Sequence, residues 1–384
     1  MQSALHHHYH ALRLRGISEL FWVHGIRSLA ENLVVIFIPI YLYQLGYTLS
    51  QIFEYLLLGG IFWIFLIYPM MRLINRFGAT RLIAVSMVGN VVQFLLLLTL
   101  PTYHWPLWAI AFAWAWYTSI YWPAFRGSFA ASLAHKRTGR LVGAWSSMQM
   151  LAVGIAPAVG GLIATEFGIN ALYIVSIAMF VVAAAPLFSG QAFVKNQPFK
   201  LSWRKLRKYR GDFIANLAET YNDGTLNQTW PLFAFFVIPS YAGVGLLSSV
   251  LILTSILVSL YVGTREETKG ARHYIKEGAA INGLGHFLRT FATTGPHVFG
   301  INLASGMGYS LYHTAFNTTY YENIERRGLP YLFMMQLVSA IAWIIAFGLL
   351  LTLTLLLPGL AERNVLLAGV LLAIPMSYLI TKIR

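Results

Sequence analysis

The chain has 384 residues, of which 58% are hydrophobic and only 10% are charged. A soluble globular chain carries about 25% charged and about 45–50% apolar residues, so this composition excludes a soluble enzyme and a disordered regulator. Cysteine is absent, which excludes a disulfide scaffold and Cys-ligated metals. A membrane-spanning helix needs roughly 20 apolar residues, so the chain is long enough for about a dozen spans of an integral membrane protein.

Apolar stretches long enough to cross a membrane occur in two groups along the chain. The first six lie at 17–45, 49–71, 80–100, 106–134, 143–165 and 169–190. The other six follow at 212–237, 241–262, 277–294, 296–321, 331–357 and 365–381. We therefore predict an all-α fold of twelve transmembrane helices, with an N-terminal bundle over 1–190, a basic linker over 191–211 and a C-terminal bundle over 212–384.

Basic residues predict the orientation of these spans, because Lys and Arg are retained on the cytoplasmic side of a membrane. With twelve spans, 23 of the 27 Lys and Arg residues fall on one side, in both tails, in the loops after even-numbered spans and in the interval Lys195–Arg210. Arg363 lies on the other side, and Arg27, Arg126 and Arg289 fall within spans. We expect both termini in the cytoplasm of a bacterial inner membrane. The net charge of +14 is then a topology signal and not a nucleic-acid-binding surface.

A weak internal repeat relates the two halves. A shift of 192 positions aligns the segment 27–31 with the segment 219–223, so two ionisable residues four positions apart recur at the same depth of spans 1 and 7. The same shift aligns Pro39 with Pro231. These matches favour two homologous six-helix halves, an arrangement common among secondary transporters.

Three short motifs carry a resemblance to a known family. The loop between spans 2 and 3 reads MRLINRFGATR at 71–81, with Asn75, Arg76 and Gly78 as its informative residues. The loop between spans 8 and 9 reads GTREETKGAR at 263–272, with Gly263, Glu267, Gly270 and Arg272. Span 5 contains APAVGG at 156–161, with Pro157, Gly160 and Gly161. These segments resemble the G-x-x-x-D-R-x-G-R-[RK] and G-P-x-x-G-G motifs of the major facilitator superfamily.

This resemblance covers the whole chain in order, spacing and topology. It implies the major facilitator fold, in which two pseudo-symmetric six-helix bundles place helices 1, 4, 7 and 10 around a central cavity. It also implies that the residues of the three motifs take part in conformational change. Small residues repeat every four positions through span 5, which lets neighbouring helices approach closely in lipid.

Beyond Glu19 at its start, the first span carries His24, Arg27 and Glu31, although a charge inside a membrane is costly. His24, Arg27 and Glu31 are spaced i, i+3 and i+7, so they share one helix face. Two interpretations stay open. Arg27 and Glu31 pair within the helix and stabilise the bundle, or they bind substrate and a proton. On the second interpretation, Glu31 is a proton-coupling candidate and Arg27 recognises an anionic group.

Beyond Asp212 at its first position, the seventh span carries two carboxylates and no basic residue of its own. Glu219 and Asp223 are four residues apart on one face, so they repel each other when both are ionised. Because one bound proton removes this repulsion, the pair is a second proton-coupling candidate. Glu54 and Arg289 lie near the predicted outer ends of spans 2 and 9, where we expect both side chains to snorkel to the interface.

Spans 1, 4 and 10 supply the candidates for substrate binding. The predicted set is Arg27, Arg126, Tyr117, Tyr121, Trp122, Tyr309, His313 and Asn317. If they face a cavity, the aromatic rings would stack on a ring or an apolar part of the substrate. The alternative is that the aromatic side chains only pack between helices or anchor the helix ends.

The residues therefore predict a secondary active transporter that moves a small polar or charged molecule by alternating access, coupled to protons. The chain has no G-x-x-x-x-G-K-[ST] loop for ATP, and common motifs of membrane enzymes are also missing. The alternatives are proton-coupled efflux of amphipathic drugs or a lipid, and a transporter-like sensor that binds without transport. We expect a monomer whose partners are the substrate, protons and the bilayer, with no cofactor, metal or nucleic acid.

Overall fold

The computed structural model describes residues 22–133, 154–188, 199, 204 and 207–384. Over these ranges the chain is helical and contains no strand. Most of the predicted linker 191–211 lies outside the described residues, as does the chain before Trp22.

The first half contains six helices in the predicted order. They are α1 (Trp22–Gln44), α2 (Leu49–Phe77), α3 (Ala79–Tyr103), α4 (Leu107–Leu133), α5 (154–166) and α6 (Ile169–Ala184). A capping box starts α2, in which the Thr48 side chain accepts from the Gln51 backbone N–H and the Gln51 side chain accepts from the Thr48 backbone N–H. Because these bonds satisfy free N–H groups, they fix the start of α2 directly after the α1–α2 turn.

The second half also contains six helices. They are α7 (210–237), α8 (Tyr241–Lys269), α9 (Ala271–Arg289), α10 (Gly295–Arg327), α11 (Leu329–Leu356) and α12 (Glu362–Leu379). In α7, the α-helical segments Arg210–Gly224 and Trp230–Val237 flank a π-helical turn at Thr225–Thr229. The predicted all-α architecture of twelve helices is confirmed.

Helix bounds differ from the apolar stretches where helices continue beyond the membrane. The tenth stretch was predicted to end at 321, but α10 continues to Arg327, because a helix can extend into water once its residues become polar. The ninth stretch was predicted at 277–294, but α9 lies nearer the N-terminus, since it starts directly after Gly270 and ends at Arg289. Among the described helices, six are individually long and apolar enough to cross a membrane, namely α1, α2, α3, the first part of α8, α11 and α12. The helices α7 and α10 are more polar because they line a central cavity.

Glycines at corresponding loops of the two halves adopt the left-handed backbone region. Gly78 joins α2 to α3 with φ of +92°, and Gly270 joins α8 to α9 with φ of +76°. A β-carbon is disfavoured at such φ values, so each tight turn requires glycine. The loop motifs therefore share a backbone geometry as well as a sequence pattern.

Small residues let α5 pack directly on the backbone of its neighbours. A β-carbon added to Gly160 would lie 2.2 Å from the carbonyl oxygen of Leu33 in α1. One added to Gly161 would lie 2.4 Å from the carbonyl oxygen of Tyr241, at the start of α8. Since neither contact leaves room for a side chain, the two glycines hold α5 against both halves of the molecule.

Candidate functional site

A central cavity of about 470 Å³ lies between the two halves. Most of its lining comes from α1, α4, α7 and α10, with further side chains from α2 and α11. The ionisable and aromatic lining residues are His24, Arg27, Glu31, Trp63, Trp114, Trp122, Phe125, Arg126, Phe129, Glu219, Asp223, Tyr309, His313, Tyr321 and Trp343. Its size is within the range of small-molecule sites, about 300–1,000 Å³.

The α1 wall carries an ion pair that is almost fully enclosed. The Arg27 side chain is only 2% exposed and pairs with the carboxylate of Glu31. Its guanidinium also donates to the Tyr117 hydroxyl and, over 2.6 Å, to Ser28 Oγ. The charge of Arg27 therefore meets an opposite charge and several acceptors inside the protein, which supports the structural interpretation of this pair.

Tyr117 and Tyr121 were predicted to contact the substrate, but neither contributes to the cavity wall. Both rings are fully buried between α4 and α1. The Tyr121 ring lies 4.3 Å below the Arg27 guanidinium, and its hydroxyl hydrogen-bonds His24 Nδ1. This face of α4 packs on α1, so the structure does not bring these two residues to the cavity. They position His24 and Arg27, which do line the cavity.

The opposite wall presents two carboxylates beside a histidine and two amide side chains. Glu219 Oε1 lies 3.5 Å from His313 Nε2, and Asp223 Oδ1 accepts a 2.8 Å hydrogen bond from Asn227 Nδ2. Asn317 also contacts the His313 ring at 3.2 Å. Within the described residues, no Lys or Arg lies within ion-pair distance of Glu219 or Asp223. These carboxylates face the cavity without a permanent counter-charge in contact.

Arg126 on α4 is a second cationic group of the cavity, and its environment differs from that of Arg27. It donates to the Tyr320 hydroxyl over 3.3 Å, and its guanidinium lies about 5 Å from the rings of Trp122 and Tyr320. Over the described part of the chain, no carboxylate lies within ion-pair distance of it. Arg126 is therefore available for an anionic or strongly polar group of a ligand.

The π-helical turn of α7 lies next to the two carboxylates. Its closing bond runs from the Trp230 N–H to the carbonyl oxygen of Thr225, five residues back. Pro231 has no N–H and its ring crowds the preceding turn, which explains why the helix widens there. The wider turn presents both Asn227 and Gln228 to the cavity. Gln228 was not predicted, because helical spacing alone places it on a different face from Glu219.

Two tryptophans close one end of the cavity. Trp114 and Trp343 stack with ring centroids 5.0 Å apart, and Trp343 Nε1 donates to the carbonyl oxygen of Leu56 over 2.9 Å. A small pocket of about 20 Å³ continues beyond them, and both cavities share Glu31, Gln228 and the two tryptophans as lining. The tryptophans come from α4 and α11, so this barrier joins the two halves.

The halves also contact each other at the end that holds the α1–α2 turn. The Tyr241 hydroxyl donates to Gln44 Oε1 over 2.5 Å, and the Tyr43 hydroxyl donates to Glu362 Oε2 over 2.8 Å. Both bonds join α1 to helices of the second half. This end of the molecule is the one predicted to face the outside.

Arg289 was predicted to snorkel to the interface, and this is wrong. Its side chain is 0% exposed inside the second half, where it lies 4.9 Å from the Trp230 ring and contacts His286 Nδ1 over 3.0 Å. The cause is the register of α9, which ends at this residue and turns it towards α7. Glu54 is exposed on α2, as expected.

The described side chains of the two loop motifs lie near helix ends and not in the cavity. Arg76 is exposed at the end of α2, and Arg272 is exposed in the first turn of α9. Asn75 is half-buried beside the α2–α3 turn. The side chain of Glu267, in the second copy of the motif, lies outside the described residues. Their conformational role stays a prediction.

The geometry of twelve helices around a polar cavity agrees with the family comparison. The model of the Major Facilitator Superfamily matches residues 20–249. The chain belongs to this superfamily, as the motifs predicted, and it is an integral membrane secondary transporter.

A solved structure shows the same fold. The crystal structure of a point mutant of the nucleoside transporter NupG superposes with a TM-score of 0.69, over 94% of this chain and 97% of that chain. The two sequences are 12% identical, so the similarity concerns the fold. No curated protein matches the chain significantly.

Proposed function

We propose that this transporter moves a small polar molecule by alternating access and that the Glu219–Asp223 pair couples the movement to protons. The observation that carries the proposal is the unequal charge pairing across the cavity. Arg27 and Glu31 neutralise each other on one wall, whereas Glu219, Asp223 and Arg126 lack a partner of opposite charge within ion-pair distance among the described side chains.

The balance of formal charges explains how a proton would act. With His24 and His313 neutral, the cavity holds the cations Arg27 and Arg126 and the anions Glu31, Glu219 and Asp223. This leaves one excess negative charge, which one proton on the Glu219–Asp223 pair removes. An uncompensated charge in a low-dielectric site is costly. The transporter therefore changes more easily between its outward-facing and inward-facing states when the cavity is protonated. A substrate without net charge, including a zwitterion, would then travel with one proton.

The rest of the lining supports a polar substrate that contains a ring. Trp122, Tyr309 and Tyr321 offer aromatic faces, and Asn32, Asn227, Gln228 and Asn317 offer amide donors and acceptors. Ring faces stack on flat groups, whereas amides fix orientation by hydrogen bonds. Nucleosides have these two features, so they form one class that the site would accept. The amide-lined wall is less suited to the efflux of a purely hydrocarbon compound or of a lipid tail.

Transport in proteoliposomes tests this proposal. Candidate substrates are first selected by thermal shift, since a ligand of the folded state raises its apparent stability. We expect a selected compound to accumulate against its concentration gradient when a pH gradient is imposed and to equilibrate when that gradient is abolished. Accumulation that is indifferent to the pH gradient would contradict proton coupling. Binding without any flux would favour the sensor.

The orientation proposed for the chain has its own test. Single cysteines are introduced at Gln197, in the linker, and at Thr102, near the end of α3. The distribution of basic residues places these positions on opposite sides of the membrane, so an impermeant reagent added from outside should label Thr102→Cys and spare Gln197→Cys. Labelling of both from outside would reject the twelve-span topology with cytoplasmic termini.

A further inference from the structure

A second large cavity lies outside the central site, on the surface of the C-terminal half. It measures about 1,190 Å³ and is lined by the start of α7, by α9 and by the end of α12. Its floor is built from small residues, including Ala279, Ala280 and Gly283 of α9. It exceeds the usual size of small-molecule pockets, about 300–1,000 Å³. The cavity is open to the surface and forms a groove between helices.

One end of this groove is strongly basic. Its lining includes Lys208, Arg210, Arg272, Lys276, Arg327, Lys382 and Arg384, against one carboxylate, Asp212. Asp212 is already engaged by the Arg327 guanidinium, by the Tyr331 hydroxyl at 3.2 Å and by the Arg384 backbone N–H at 2.8 Å. In the described part of the chain, Lys208, Arg210, Arg272 and Lys276 have no carboxylate within ion-pair distance. The groove therefore carries a large excess of positive charge.

The other end of the groove is apolar and exposed. Leu284 and Phe287 of α9 are 57% and 47% exposed, and Tyr378 of α12 is 65% exposed beside Ile374. Lys276 and Phe287 are eleven residues apart on one helix, which corresponds to about 16 Å along its axis. The groove thus combines a cationic end with an apolar wall of roughly half the thickness of a membrane core.

We propose that this groove binds an anionic phospholipid. The phosphate lies among Arg210, Arg272 and Lys276, and an acyl chain follows Leu284 and Phe287 towards the membrane centre. A guanidinium donates two parallel hydrogen bonds to a phosphate, and an ammonium adds a compact charge. The basic end is the one predicted to face the cytoplasm, where anionic headgroups attract basic side chains. The groove and the central cavity share no lining residue, so the two sites are independent.

A soluble phosphate compound shares the headgroup chemistry, but the geometry favours a lipid. A soluble anion would use only the basic end and would leave Leu284, Phe287 and Tyr378 in contact with nothing but the bilayer. A lipid fills both ends of the groove at once. The two sources therefore differ in whether the apolar wall contributes to binding.

Binding is measured by native mass spectrometry on delipidated full-length protein in detergent. Phosphatidylglycerol is titrated against phosphatidylcholine of the same chain length, and glycerol 3-phosphate represents the headgroup alone. The charge variant is the double substitution Arg210→Gln with Lys276→Gln. The control is Arg72→Gln with Arg81→Gln, which removes two exposed basic residues at the same end of the molecule but outside the groove. Ala280→Trp fills the groove without changing its charge.

We expect phosphatidylglycerol to bind the wild type more tightly than phosphatidylcholine does. A basic residue near an anionic headgroup is worth about a fivefold change in affinity, so the charge variant should lose about 25-fold and the control less than about twofold. Ala280→Trp should also weaken phosphatidylglycerol binding, while any binding of glycerol 3-phosphate persists. Thermal unfolding of each variant checks its fold, and Ala280→Trp tests the groove even if the double variant is unstable.

Three outcomes would overturn the proposal. Equal binding of the two lipids would show that the positive charge does not select a headgroup. Equal losses in the charge variant and its control would place the lipid elsewhere on the basic face. Tight binding of glycerol 3-phosphate, undiminished in Ala280→Trp and matching that of phosphatidylglycerol, would assign the groove to a soluble anion. None of these measurements depends on transport.

Discussion

The two halves of the molecule place ionisable residues at equivalent depths but use them differently. In α1, Arg27 and Glu31 form a pair that Tyr117 supports, so its charges are fixed inside the protein. In α7, the repeat-related positions hold Glu219 and Asp223, which have only neutral or weakly basic neighbours. The positions that the sequence shift relates therefore carry different chemistry, and the proposed function assigns the proton-switched charge to the second half.

The backbone of α1 also differs from that of α7. The α7 helix widens into a π-helical turn at Thr225–Thr229, directly after Asp223, and presents two amide side chains to the cavity. At the corresponding depth, α1 tightens into a 3-10 turn at Val35–Phe37 before Pro39. Both deviations precede a repeat-related proline that cannot donate to the helix. Thus α1 tightens just beyond its ion pair, whereas α7 widens beside its carboxylates.

The largest expected effect concerns the α7 pair. Asp223→Asn keeps the side-chain shape but removes the titratable group, so it should abolish accumulation driven by a pH gradient while substrate exchange across proteoliposomes continues. Glu219→Gln should do the same if the two carboxylates share the proton. The exposed carboxylate of Glu54 on α2 provides a control, since Glu54→Gln makes the same change of charge outside the cavity. If both α7 variants still accumulate substrate, the pair is not the proton site and Glu31 becomes the next candidate.

The next effect is a loss of stability in α1. Arg27→Gln leaves the Glu31 carboxylate in the protein without its counter-charge, which costs about 3 kcal/mol for a buried pair. The measurement is the thermal unfolding midpoint in detergent, which should fall in Arg27→Gln and recover when Glu31→Gln is added. An unchanged midpoint combined with lost substrate binding would instead make Arg27 a ligand-binding residue.

A smaller effect, on substrate affinity, is expected when each of the two cavity arginines is replaced by lysine. Arg126→Lys removes a planar fork that faces the cavity without an ion-pair partner among the described residues, and loss of one charged hydrogen bond costs about 1.5 kcal/mol, or about tenfold in affinity. Arg27→Lys should leave affinity unchanged, because Arg27 is already engaged by Glu31 and Tyr117. Substrate titration by thermal shift measures both. The opposite ranking of the two variants would reverse the roles assigned to the arginines.

The smallest effect should come from Tyr117→Phe. This substitution removes the hydroxyl that accepts from Arg27 and keeps the ring, so it should lower stability by about 1 kcal/mol. Affinity for substrate should not change, since Tyr117 is buried behind the cavity wall. A clear loss of affinity without a loss of stability would place this hydroxyl at the substrate.

The site residues that could be predicted from the sequence are the charged ones, because a charge inside an apolar span has a high free-energy cost. A charge in an apolar span needs a partner or a cavity, and for this reason Glu31, Glu219, Asp223 and Arg126 could be selected before the structure was known. Aromatic residues give no comparable signal, because they suit a helix interface as well as a binding site. Tyr121, one of the substrate-binding candidates, accordingly lies buried behind the cavity wall.

Other lining residues carried no sequence signal of their function. Trp63 and Trp343 are typical of any membrane helix, and they line the cavity because α2 and α11 cross close to its end. Gln228 enters through the local widening of α7. Arg289 was misjudged because hydropathy locates the apolar part of a helix and not its first and last residues.

The sequence by itself determined the class of protein, the number of spans, their predicted orientation and the family, because these depend on apolar length, basic residues and short motifs that local composition displays. The tertiary structure alone decided which charges are paired. Pairing depends on side chains from helices far apart in the chain, such as Tyr117 with Arg27 and His313 with Glu219. Helix packing alone sets the distances between such side chains. For that physical reason, Arg27 and Arg126, which look alike in the sequence, have different environments in the fold.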